Sequence, residues 1–306
     1  MRIASFAVTE EPEIRRVGVV TGDRIVDLGT LVGSGADAAQ RTSIRAFLEG
    51  GERTLQAARD LVASAAPDAG RPLNDVRFLP PIDATNKILC VGKNYRTHLE
   101  ELKRTDLIRE LPEEPTGFIK LHQCLTGHDT AIERPPSVTR LDYEPELVFV
   151  IGQAAYQVKE ADAWDHVAGI TLLNDLTCRD TQKREVASGS RFWTAKNAPG
   201  FGPLGPCIVT MDEVPDPYDV WVTCAVNGEQ RMRVNTSDQI WKLPRIIEHF
   251  SRLVPLMPGD MFSTGAPGGV AVGKANADAL YLKHGDVVEC AFEAPAMILR
   301  NSIVVR

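Results

Sequence analysis

Residues 141–152 read LDYEPELVFVIG, an apolar strand-like run into which Asp142, Glu144 and Glu146 are set two apart. Successive strand side chains point to opposite faces, so the three acids share one face while Leu141, Tyr143, Leu147, Phe149 and Ile151 share the other. Like charges this close repel unless something positive sits among them. Pro145 has no N–H to give a ladder, which predicts an edge or a bulge where the acids converge. A further acid, Asp175, follows the apolar Ile170-Thr171-Leu172-Leu173 and so stands at the end of a second strand. Glu144, Glu146 and Asp175 together offer three hard oxygen donors, a magnesium-type or manganese-type set with positions left for water or substrate. The competing account pairs the same acids with Arg179, Arg184 or Arg191. Both stand on sequence alone.

The stretch KILCVGKNYRTHLEEL (87–102) runs from an apolar strand into a polar, helix-like segment. His98 and Glu101 are three apart and fall on one helical face. A carboxylate beside an imidazole fixes its tautomer and raises its basicity, the pairing needed to take a proton from water. HxxE on an exposed helix also occurs as a solvated pair, and without HExxH a zincin site has no support. GGVAVGKA (268–275) fits the first seven positions of a phosphate-binding loop, but Ala275 replaces the hydroxyl residue and no strand-to-helix context surrounds it. It reads as a glycine-rich loop near the site. Ser188 and Ser190 in ASGSR lack the GxSxG elbow and read as loop.

The elements that must position these groups are mostly strands. RIASFAV and VGVVTGDRIVDL predict short strands, the latter with a hairpin at Thr21-Gly22-Asp23. Residues 43–64 have helical spacing broken at Gly50-Gly51, predicting one or two short surface helices. Residues 65–86, rich in Ala, Pro, Asp and Gly, read as a linker. Strands are predicted at KILCVG, ELVFVIG, CIVTM, VWVTCAVNG, MFSTG, DVVECAFE and ILRNSIVVR, with helices at 94–110 and 239–253. Strands outnumber helices without βα alternation, so the class is α+β. The expected division is a small N-terminal β/α domain over 1–75 and a catalytic domain over 83–306.

The 306 residues are 43% hydrophobic and 25% charged, an ordinary globular composition. A net charge of −7 argues against nucleic acid or an anionic membrane as main partner. Cys90, Cys124, Cys178, Cys207, Cys224 and Cys290 form no CxxC, which predicts reduced, mostly buried thiols rather than disulfides or zinc. MRIASFAVTEEPEIRR lacks a signal-peptide core, and no apolar run approaches the ~18 residues of a spanning helix. A cytoplasmic location is expected.

CVGKNYRTHLEE, YEPELVFVIG, NDLTCRDTQ, the Lys of TAKN, PLGP and STGAPGGV occur in the order expected of the fumarylacetoacetate hydrolase family, which the chain resembles over 87–306. The resemblance implies a β-rich α+β fold of layered mixed sheets, a homodimer, and a divalent cation (magnesium, or manganese or calcium) on Glu144, Glu146 and Asp175. It implies a catalytic dyad of His98 and Glu101 on a lid helix, and an active-site Lys196. It also implies substrate contacts from Gln182, Thr264 and Gly265. The activity it implies is hydrolytic C–C cleavage of a 2,4-dioxo acid: an acylpyruvate, a fumarylpyruvate-like acid or a diketo-deoxy sugar acid. Decarboxylation of an oxaloacetate-like acid or isomerisation of a hydroxydienoate on the same site is the alternative. A non-catalytic carboxylate-binding or metal-binding protein is a third reading, opposed by the joint presence of ligands, dyad and lysine. Two departures, Ala198-Pro199-Gly200 after the lysine and His122 with His128, fall where pocket walls are expected.

Overall fold

A strand with apolar residues on both faces must lie inside a sheet rather than at its rim, and Pro145–Ile151 is buried along its whole length. Leu147, Phe149 and Ile151 enter one core with Tyr143, Ile170 and Phe262. Val148 and Val150 enter a second with Ile3, Val17, Phe47 and Ile88. The computed structural model describes residues 1–30, 38–66, 68–82, 87–104, 113–189 and 192–305, and the strands dominate it.

Pro145–Ile151 pairs antiparallel with Val167–Asn174 on one side and Met261–Ser263 on the other. Met261–Ser263 runs parallel to Ile88–Val91, which continues to Gly117–Lys120. On the far side, Val167–Asn174 meets Ile208–Thr210, and that strand meets Arg2–Val8. Glu11–Thr21 and Arg24–Asp27 follow, so strands drawn from Arg2 to Ser263 share one sheet of eleven. A five-stranded sheet covers the first core: Glu229–Asn235, Trp221–Val226, Val287–Phe292, Met297–Val304 and Ile132–Glu133. The helices Ile44–Glu49 and Gly51–Ser64 pack Ile44, Phe47, Leu48 and Ala58 onto the second core.

The expected hairpin is present, with Thr21 opposite Arg24 and Gly22 at φ +60°. The helical break at Gly50-Gly51 is also present, and Gly51 has φ +63°. Leu243–Ser251 lies inside the expected 239–253, and Arg96–Arg104 inside 94–110, of which 105–110 fall outside the described residues. All six cysteines are free and buried. Among the described residues no helix is long and apolar enough to cross a membrane.

Two expectations change, and one helix went unread. Pro145 opens a central strand instead of marking an edge. The irregularity it predicts is real, because Leu141–Asp142 leaves to pair with Thr177–Cys178, and the Asn174 side chain accepts the Glu144 N–H at 2.9 Å. The stretch read as a linker contains the strand Val76–Leu79, laid against Arg2–Val8. The helix Arg179–Ala187 was hidden because the residue it buries is an arginine, so it carries no apolar stripe.

Candidate metal and active site

Two strand ends bring the acids together. Glu146 is the second residue of Pro145–Ile151 and Glu144 precedes that strand. Asp175 follows Val167–Asn174 and donates its N–H to the Glu144 carbonyl at 2.8 Å. All three carboxylates are buried, together with Asp142, Lys120, Arg179 and Lys196. The Lys196 ammonium donates to Glu144 Oε2 and to Asp175 Oδ2, the latter at 2.6 Å. Lys120 Nζ donates to Asp175 Oδ1 at 2.8 Å and to the Lys196 carbonyl at 2.5 Å. Arg179 spans Asp142 at 2.8 Å and Glu144 at 2.6 Å.

Four buried acids face three buried bases, so full ionisation would leave one negative charge without a counterpart. Glu146 is the acid left over: its Oε2 accepts from the Ser263 hydroxyl and from the Gly265 N–H at 3.2 Å, both neutral donors. Burial, and then the charge of Asp175, push its carboxyl well above the usual range against the pull of Lys196. For Glu144 burial also opposes ionisation, but Arg179 and Lys196 overcome it and hold the carboxyl well below that range. Glu146 and Asp175 offer oxygens within 4.8 Å of each other and of the Cys90 thiol, while Glu144 lies outside that group and is bridged to Asp175 by Lys196. Two buried carboxylates this close, one of them without a cationic partner, are hard donors that fit a divalent cation. The rival ion-pair account is met in part, since Arg179 takes Asp142 and Glu144. Arg184 turns to the Thr181 hydroxyl, and Arg191 lies outside the described residues.

His98 and Glu101 meet on Arg96–Arg104, Nδ1 to Oε2 at 3.2 Å. A carboxylate on Nδ1 leaves Nε2 as the basic nitrogen. Asp238 Oδ2 accepts the Thr97 N–H at 3.0 Å and its hydroxyl at 2.6 Å, capping the helix from another segment. Gly268 donates its N–H to Thr97 Oγ1 at 3.2 Å, and Gly269 donates to Glu101 Oε1 at 2.8 Å. A Cβ on Gly269, at φ +109°, would stand 2.6 Å from Met232 Cβ. The phosphate-loop-like stretch is therefore the seat of this helix. Its Lys274 donates to the Arg231 carbonyl at 2.6 Å.

Between helix and carboxylates lies a cavity of about 230 Å³, below the roughly 300–1,000 Å³ of common ligand clefts. His98, Glu144, Glu146, Gln182 and Lys196 form its polar side. Phe118 and Phe192, edge to face with centroids 5.1 Å apart, form an apolar wall. Gly265 reaches the cavity, whereas the Thr264 hydroxyl is turned away to the Leu147 carbonyl at 2.9 Å. Asp175 sits behind its two lysines and Glu101 behind His98. His122, His128 and Ala198-Pro199-Gly200 do not line the cavity, so the expected wall differences are not there.

A model of the family described as fumarylacetoacetate (FAA) hydrolase, C-terminal, matches residues 87–304. The chain belongs to the fumarylacetoacetate hydrolase family. Within this family, a relative from Xenopus laevis named as a mitochondrial oxaloacetate tautomerase is 35% identical over 295 residues, covering 96% of this chain and 87% of its own. The fumarylacetoacetate hydrolase of Exiguobacterium antarcticum superposes with a TM-score of 0.80 at 31% identity, with full coverage of both chains. Maleylpyruvate hydrolase of Sphingobium sp. SYK-6, solved with manganese(II) and pyruvate, superposes at 0.79 with 27% identity, covering 100% of this chain and 99% of that one. The family thus joins hydrolases with tautomerases and isomerases on one α+β fold.

Sequence reasoning missed Lys120, Phe118 and Cys90. Period-two alternation in GFIK puts Phe118 and Lys120 on one face, which was a readable signal. Cys90 offered none: its thiol comes near Glu146 and Asp175, ligand atoms within 4.8 Å of one another, only through the parallel pairing of Ile88–Val91 with Met261–Ser263.

Proposed function

We propose that this protein is a metal-assisted enzyme of proton transfer on a short 2-oxo acid, interconverting the keto and enol forms of an oxaloacetate-like 2-oxodicarboxylate. The observation that carries the reading is Glu146, a buried carboxylate with neutral partners facing a small cavity opposite His98. Glu144, Glu146 and Asp175 would hold the cation, which supplies Lewis acidity toward the 2-oxo group. His98 Nε2 takes a proton from the carbon beside that group, and Glu101 stabilises the imidazolium. The electrons of the broken C–H bond move onto the carbonyl oxygen, which the Lys196 ammonium meets. Arg179 fixes Gln182 Oε1 at 2.9 Å and leaves its amide nitrogen to donate to substrate. The return of the proton to oxygen gives the enol, and no water is consumed. The nearly full-length tautomerase relative supports this order of preference.

Hydrolytic cleavage of a 2,4-dioxo acid is the second reading, favoured by the likeness to maleylpyruvate hydrolase. There His98 would deprotonate a water that attacks the distal carbonyl, and the enolate of a 2-oxo acid would leave. Enol-to-keto conversion of oxaloacetate, decay of acylpyruvates and release of carbon dioxide, each followed with magnesium or manganese and with chelator, separate the readings. Fast ketonisation with little cleavage is expected. Efficient cleavage of a 2,4-dioxo acid without accelerated ketonisation would reverse the order.

A further inference from the structure

Asp142 is the one acid of the 141–146 column that lies outside the cavity, and it is wholly buried. Its Oδ1 accepts the Ala271 N–H at 2.9 Å, and its Oδ2 accepts the Val272 N–H at 3.0 Å together with Arg179 Nε at 2.8 Å. Arg179 continues to Glu144 Oε1 at 2.6 Å. On the other side, Gly269 of the same loop donates its N–H to Glu101 Oε1 at 2.8 Å, and Glu101 Oε2 meets His98 Nδ1 at 3.2 Å. Glu144 and His98 are therefore joined through one arginine, two acids and one loop.

We propose that Asp142 is a positioning residue that locks the glycine-rich loop 268–272 to Arg179 and so couples the carboxylate site to the placing of Glu101 and His98. A carboxylate that accepts two backbone N–H groups and a guanidinium is held from three directions. Gly268 and Gly269 have no side chains to anchor the loop, so the Asp142 tie at Ala271 and Val272 adds to the backbone contacts the loop makes with Thr97 and Glu101. The planar guanidinium transmits a shift of Glu144 to Asp142 more faithfully than a flexible ammonium would. The inference rests on the proposed roles of the carboxylates and of the His98–Glu101 pair.

Hydrogen exchange of the backbone amides of Arg96–Arg104 tests it on the full chain, with magnesium as the probe and calorimetry to report binding. The variants are Asp142→Asn and Asp142→Asn/Arg179→Gln; the double variant removes both buried partners and leaves no orphaned guanidinium. Without metal, helix exchange should be about tenfold faster in both variants than in the wild type. Magnesium should slow helix exchange in the wild type and leave it unchanged in variants that still bind the ion. Equal metal-free exchange in all three proteins, or an equal magnesium response in all three, overturns the coupling. Absence of magnesium binding in the wild type sinks the cation reading instead, and the metal-free comparison still decides on the anchor.

Discussion

The Lys196 ammonium lies 2.6 Å from Asp175 Oδ2 and bridges that carboxylate to Glu144. It thereby occupies the space between two of the three donors proposed for a cation, and would compete with a bound ion for them. Lys196→Met should abolish turnover yet tighten magnesium binding by about tenfold or more, because a positive charge leaves the ion's immediate surroundings. The metal-free variant should melt earlier than wild type and gain more from magnesium. Calorimetry showing unchanged affinity would remove the competitor role.

Glu146→Gln replaces a buried carboxyl whose hydrogen-bond donors are neutral by an amide that keeps an acceptor for Ser263 and Gly265. At a pH above its raised titration range, where Glu146 is ionised, metal-free stability should rise by about 1 kcal/mol or more, while magnesium affinity falls by at least about 10²-fold. The two effects have opposite sign, so a misfolded variant cannot imitate them. Chemical denaturation with and without chelator measures both.

Magnesium binding should release protons. Glu146 has its carboxyl raised by burial and by Asp175, so metal-free protein binds a proton there at a pH where an unfolded glutamate has lost it. That contribution to stability is complete below the ordinary carboxylate range and is lost as pH climbs through the raised value. Bound cation removes the cause, so its apparent affinity should increase with pH across that same interval. Glu144, held low by Arg179 and Lys196, behaves in the opposite way: its stabilisation is present above the ordinary range and is lost only in strong acid. Calorimetry in buffers of different ionisation enthalpy counts the released protons; a count of zero across this interval would contradict the prediction.

His98→Ala and Glu101→Gln should each slow ketonisation by at least about 10²-fold, the usual cost of losing a positioned base. Decarboxylation of oxaloacetate, which breaks no C–H bond, should fall much less in the same proteins. Equal losses in both reactions would point to collapse of the helix seat instead of loss of a base.

The strands and the acid cluster were legible in the sequence because both follow local rules. Alternation in LDYEPELVFVIG names one face of acids, and turn residues mark the strand ends. What stayed hidden depends on distant partners. The helix Arg179–Ala187 has no apolar stripe to betray it, because Arg179 is buried by Asp142 and Glu144, themselves far off in sequence. The role of Gly268 and Gly269 could not be read without knowing that Thr97 and Glu101 would lie against them. Pro145 predicted irregular pairing, but only the flanking strands decide whether a proline-led strand is central.

Arg2–Val8 reaches its neighbour Ile208–Thr210 by pairing Arg2 with Val209. During synthesis at ~5–20 residues per second, the early strand waits on the order of 10–40 s for that neighbour to be made. Throughout that interval Ile3 and its apolar neighbours belong to a nascent chain whose sheet is open on one side. The fold therefore sets a biosynthetic delay: the edge at Arg2 and Ile3 stays unpaired until Ile208–Thr210 has been made.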